Sequence, residues 1–61
     1  MRYNVRVGDD GRRLFESDDL HAAEVFAREY SNSSALRQAY VREHIKNIRL
    51  YRLGQLVWYR D

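Results

Sequence analysis

A chain of 61 residues with no cysteine has to hold its fold together by packing alone. At this length folding removes only about 60% of the unfolded surface from water. Domains this small commonly rely on disulfides or a structural metal, and without cysteine neither a disulfide nor the usual zinc cluster can form. That leaves a compact core, a homodimer or a bound partner as sources of stability, and room for one domain, residues 1–61. The lack of cysteine also fits a reducing cytoplasm. No apolar run approaches the roughly 20 residues that cross a bilayer, and Met1-Arg2-Tyr3-Asn4 runs straight into a strand pattern. The chain is therefore expected to be soluble, cytoplasmic and unprocessed, with no membrane partner.

Tyr3, Val5 and Val7 alternate with Arg2, Asn4 and Arg6, the period of a half-buried strand. Gly8-Asp9-Asp10-Gly11 turns the chain, with Asp10-Gly11 suited to a type I′ turn. A return strand over residues 12–16 completes an N-terminal hairpin whose register is open, because Leu14 and Phe15 are adjacent and point to opposite faces. Ser17-Asp18-Asp19 then starts a helix, its oxygens capping free amides and its charges opposing the positive end of the dipole. Leu20, Ala23, Phe26, Ala27 and Tyr30 form one apolar stripe, with His21, Glu24 and Arg28 facing water. The helix is expected to end near Ser31-Asn32, with asparagine in the left-handed cap conformation.

Residues 35–47 admit two readings. As a helix capped by Ser33 or Ser34 they place Leu36, Tyr40, His44 or Ile45, and Ile48 on one side, and their Ala, Leu, Arg, Gln and Glu content favours that choice. As a strand, Ala39, Val41 and Ile45 alternate with Tyr40, Arg42 and His44, though Glu43 interrupts the apolar side. The helix is the preferred reading. Residues 48–61 form a second hairpin. A three-residue Arg52-Leu53-Gly54 loop with Gly54 left-handed sets Leu50 opposite Leu56 and Ile48 opposite Trp58 as a core face. A Gly54-Gln55 loop would instead oppose Arg49 to Arg60. The expected fold is α+β: a β-hairpin, an amphipathic helix, the ambiguous middle segment and a C-terminal β-hairpin, with the helix packed on one face of an antiparallel sheet.

In that register the reverse face of the C-terminal hairpin carries Asn47, Arg49, Tyr51, Gln55, Val57 and Tyr59. Charge points to the same half of the chain. Residues 1–29 hold seven acids against five bases, whereas residues 30–61 hold six bases against Glu43 and Asp61. Ten of the eleven basic residues are arginine, and guanidinium makes forked and stacked contacts that lysine does not. Arginine and tyrosine are enriched at protein interfaces. Arg49, Tyr51, Arg52, Val57 and Tyr59 are therefore the candidate partner-binding residues, and a protein is the expected partner. The alternative is a nucleic acid, with Arg37, Arg42, Lys46, Arg49, Arg52 and Arg60 on phosphates and Tyr40, Tyr51 or Tyr59 stacking on bases.

No chemistry is expected. His21 and His44 stand in different segments, with no metal-ligand spacing, and Asp18-Asp19 is explained by helix capping. Ser31, Ser33 and Ser34 have no placed base, and the acidic Gly8–Gly11 turn would repel phosphate. No catalytic residue, metal ligand or cofactor is assigned. The layout of a strand, the Gly8 to Gly11 turn, a strand, Glu16-Ser17-Asp18-Asp19-Leu20 leading into an Ala-rich helix, and a hairpin ending Leu56-Val57-Trp58-Tyr59 resembles that of very small phage-encoded accessory proteins. The resemblance implies a host protein as partner, bound and inhibited or redirected.

Overall fold

The computed structural model describes residues 1–8, 11–33 and 37–60. In chain order the elements are β1 (Tyr3–Val7), β2 (Arg13–Ser17), α1 (Leu20–Asn32), β3 (Ala39–Glu43), β4 (Lys46–Arg52) and β5 (Gln55–Tyr59). The strands form one antiparallel sheet in the order β2-β1-β3-β4-β5, and α1 packs on one of its faces. This is the expected α+β arrangement of a helix on a sheet between N- and C-terminal strand pairs. Both β2 and β3 run antiparallel to β1, so the connection through α1 crosses over β1 and lands on its far side.

The helix forms where its stripe predicts. Asp19 is the N-cap, its carboxylate accepting from the His21 amide at 3.1 Å, and the Ser17 hydroxyl accepts from the Asp19 amide at 3.0 Å. Asp18 instead accepts from the Arg2 amide at 2.9 Å, tying the helix start to β1. Ala23 and Ala27 are fully buried, and their small side chains let the helix approach the sheet closely. Leu20, Phe26 and Tyr30 pack around them. Phe26 stacks on Phe15 of β2 at 4.7 Å and on Tyr30 at 6.2 Å. The helix ends at Asn32 as expected, but its cap is Ser33 in right-handed conformation instead of a left-handed asparagine, with the Ser33 hydroxyl donating to the Tyr30 carbonyl at 2.9 Å. Glu24 also departs from its expected place in water, since it bonds Arg49 of β4 at 3.2 Å in a half-buried pair.

Within the ambiguous middle, Ala39–Glu43 is strand and β4 begins at Lys46, correcting the preferred helix reading. Pairing with β1 on one side and β4 on the other outweighs local helix propensity. It buries Ala39 and Val41 completely, and Glu43, which breaks the apolar side, closes the strand in an ion pair with Arg2 at 2.6 Å. His44 sits in the tight turn to β4 with φ of 56°. Ala35 and Leu36, like the Asp9-Asp10 turn, lie outside the described residues.

Three bulges set which residue faces the helix. One between Val5 and Arg6 pairs Val5 with Phe15 and Arg6 with Arg13, which settles the Leu14–Phe15 ambiguity. A second makes Ile48 an extra, buried residue of β4. The third lies in the C-terminal hairpin, where the expected register fails. Its loop is Leu53-Gly54, with φ of 52° and 80°, and Arg52 pairs with Gln55. Both central residues at positive φ are the mark of a type I′ turn, whose twist suits a hairpin. The bulge between Leu50 and Tyr51 then pairs Tyr51 with Leu56 and Leu50 with Trp58. Leu50 therefore does not face Leu56, nor Ile48 Trp58.

Leucine is a poor occupant of the left-handed region, where asparagine and glycine are at home. Leu53→Asn should raise stability by about 1 kcal/mol, lifting the melting temperature by roughly 4–8 °C in a domain this small. Thermal denaturation followed by circular dichroism checks this, and an unchanged midpoint would show the turn to be unstrained.

Candidate interaction surfaces

The register of the last hairpin decides which of the expected contact residues can meet a partner. Tyr51 cannot: it is only 2% exposed, seated under α1 with the Arg28 guanidinium 5.8 Å from its ring. Burial pushes its phenol above the ordinary range, and Glu24 adds to the shift while Arg28 opposes it. Arg49 also faces the helix. Besides Glu24, it donates to the Ile48 carbonyl at 2.8 Å and the Arg60 carbonyl at 3.0 Å, and it lies 5.8 Å from the Tyr59 ring. These contacts fasten the end of β5 to β4, so Arg49 serves the fold. Arg52, Val57 and Tyr59 do reach solvent, with Val57 53% and Tyr59 62% exposed. The free face drawn from the sequence is thus split, because a one-residue slip in pairing moves every side chain of a strand to the other face.

What the hairpin exposes instead is its last strand. All five residues of β5 are exposed, and the strand lies at the sheet edge with β4 as its neighbour. Seven large apolar residues are exposed among the described residues, and five of them, Leu53, Leu56, Val57, Trp58 and Tyr59, fall in residues 53–59. Apolar side chains concentrated along an edge strand make a template for pairing with another chain. The helix C-terminus braces the tip of this hairpin: the Ser31 hydroxyl, fully buried, accepts from the Gly54 amide at 3.1 Å and donates to the Arg28 carbonyl at 3.1 Å.

The second surface is the sheet face that α1 leaves uncovered. Phe15, Arg49 and Tyr51 all touch the helix, so alternation puts the intervening residues on the other side. Pairing aligns Arg13, Arg6, Tyr40, Leu50 and Trp58 in one row across all five strands. A parallel row runs Glu16, Asn4, Arg42 and Asn47. The sequence reading missed most of this surface. Its signal was present in the alternation of Asn4 and Arg6 with Val5, and of Tyr40 and Arg42 with Val41, but it became a surface only once residues 39–43 were known to be a strand beside β1.

At the β3–β4 end a shallow groove of about 260 Å³ is lined by Tyr3, Leu20, Glu43, Lys46, Ile48, Arg49 and Arg60. It is smaller than the pockets that enclose small ligands. Among the described residues no three His, Cys, Asp or Glu side chains cluster to hold a metal, and no helix is long and apolar enough to cross a membrane. No family model matches the chain, and neither a curated protein nor a solved structure shows significant similarity to it.

Proposed function

We propose that this chain is a cytoplasmic, non-enzymatic module that binds a protein through the edge of β5 and the tip of the β4–β5 hairpin. The observation that carries the reading is the concentration of exposed apolar residues on residues 53–59. Leu53 strengthens it, because a leucine held at φ 52° with half its surface in water contributes little to the fold, and strained residues gather at functional positions. A partner strand adding to β5 would gain main-chain hydrogen bonds along the open edge. Val57 and Tyr59 would supply contact area, and the neighbouring Arg52 would reach a carboxylate on the partner. The resemblance of the layout to that of small phage-encoded accessory proteins points to the same class of activity, with a host protein inhibited or redirected.

Affinity capture from nuclease-treated host lysate tests this. Leu56→Lys with Val57→Lys should weaken capture at least about tenfold while the circular dichroism spectrum is unchanged, because charge on an edge strand opposes strand addition. Equal capture by the double variant would overturn the assignment to β5. Sedimentation of the purified chain distinguishes the second occupant: a dimer that the same double variant dissociates would place another copy of this chain on the strand instead of a foreign protein.

A further inference from the structure

Two guanidiniums off the uncovered face are matched to acids, Arg2 to Glu43 at 2.6 Å and Arg49 to Glu24 at 3.2 Å, while Arg28 and Arg37 on the helix side lie over the Tyr51 and Tyr30 rings. On the uncovered face Arg13 meets Glu16 at 3.3 Å, but no carboxylate among the described residues lies within ion-pair distance of Arg6, Arg42 or Arg52. Among the described residues, three positive charges therefore stand on one sheet face without an ion-pair partner.

A second observation falls on the same surface. Asn4 is 6% exposed, and its Oδ1 has no hydrogen-bond partner; the Nε atoms of Arg6 and Arg42 are also buried and unpartnered. Asn4 pairs across the strands with Arg42, and Arg6 with Tyr40, so the three orphan atoms occupy adjoining positions on β1 and β3. Buried polar groups are nearly always satisfied, and here the exceptions gather where arginine stems crowd together with no acid to receive them. The same face carries Tyr40 and Trp58 in one cross-strand row with Leu50 between them. Strands lie about 4.8 Å apart, so the backbone positions that carry the two rings are roughly 10 Å from each other, two strands distant.

From this geometry we propose that the uncovered sheet face binds single-stranded nucleic acid, with phosphates held by Arg6, Arg42 and Arg52 and bases stacked on Tyr40 and Trp58. The chemistry selects this occupant. A run of phosphates supplies the anionic acceptors that these three guanidiniums lack, Arg42 donating to the neutral Ile45 carbonyl, and a sheet face with spaced aromatic rings receives unstacked bases, which a duplex does not offer. The surface differs from the one drawn from the sequence, since Arg49 and Tyr51 face the helix and Arg37 lies 4.9 Å from the Tyr30 ring. It adjoins the β5 edge proposed above as the protein-binding site and shares Arg52 with it, but Arg6, Arg42 and Tyr40 belong to this face alone.

Trp58 is the single tryptophan of the chain, so its fluorescence reports base stacking directly. Titrating the intact protein with a twelve-residue oligothymidylate at low salt should quench that fluorescence, and the logarithm of the binding constant should fall with the logarithm of salt at a slope of about −2, as expected for three phosphate contacts. Arg52→Glu and Tyr40→Ala should each weaken binding about tenfold or more with folding intact by circular dichroism, whereas Arg37→Glu, on the helix side, should change it less than twofold. Absence of quenching at low salt, or equal binding by Arg52→Glu and Tyr40→Ala, would overturn the proposal. So would polyglutamate binding as tightly as the oligonucleotide, which would make the occupant an acidic protein, or a duplex of equal length binding as tightly as the single strand. Leu56→Lys with Val57→Lys should leave the oligonucleotide affinity undiminished, so failure of the β5 reading and failure of this one are read separately.

Discussion

Tyr51→Ala should unfold this domain. The ring is among the largest side chains fully buried in the protein, and it shares the core with Val5, Ala23, Ala27, Ala39, Val41 and Ile48. Removing a buried aromatic side chain costs about 3–5 kcal/mol, as lost transfer energy plus the cavity left behind. A domain of this length has a total stability of only roughly 3–9 kcal/mol, so most or all of it would be lost. The cross-strand neighbour of Tyr51 on β3 is Ala39, whose methyl cannot fill the space the ring would leave. Urea denaturation followed by circular dichroism measures the loss. Trp58→Ala is the control, since that indole is 40% exposed on the uncovered face and its removal should cost only about 1 kcal/mol. Should the tryptophan variant unfold and the tyrosine variant stay folded, the two faces of the hairpin would be exchanged.

Ala39→Leu should destabilise the protein by about 1–3 kcal/mol, despite adding apolar surface to the core. Ala39 is fully buried and lies between Val7 on β1 and Tyr51 on β4. A methyl group is all that fits where the alanines of α1 come down on β3, and three extra carbons would push the helix away from the sheet or force Tyr51 off its rotamer. Differential scanning calorimetry should report a lower melting temperature. A rise would mean that a void lies above β3 and that the close approach of helix and sheet is not what stabilises this face.

The helix was legible because its evidence is redundant. Leu20, Ala23, Phe26, Ala27 and Tyr30 repeat one spacing over three turns, and Asp19 caps where a side-chain oxygen is needed. The strand character of Tyr3–Val7 was legible for the same reason. Residues 39–43 were not, because Ala, Tyr, Val, Arg and Glu in a segment rich in helix formers carry no strong local preference, and β1 and β4 decide the matter by flanking them. The candidate site failed at one step. Gly54 was correctly placed at positive φ, but Leu53 joins it there, and nothing in a leucine announces that conformation. The loop is therefore one residue shorter than expected, and pairing of β4 with the buried Ala39 and Val41 of β3 puts Tyr51, not Leu50, on the helix side.

Composition and periodicity by themselves determined that this would be a helix on a sheet with a hairpin at each end, since alternation and the 3.6-residue repeat are properties of the covalent chain. Only the tertiary structure decided which face of each strand is core, because bulges and turn conformations set register through contacts between distant residues. That choice buries Tyr51, leaves Trp58 partly in water, and sets Arg6, Arg42 and Arg52 on one face of the sheet although they come from three different strands.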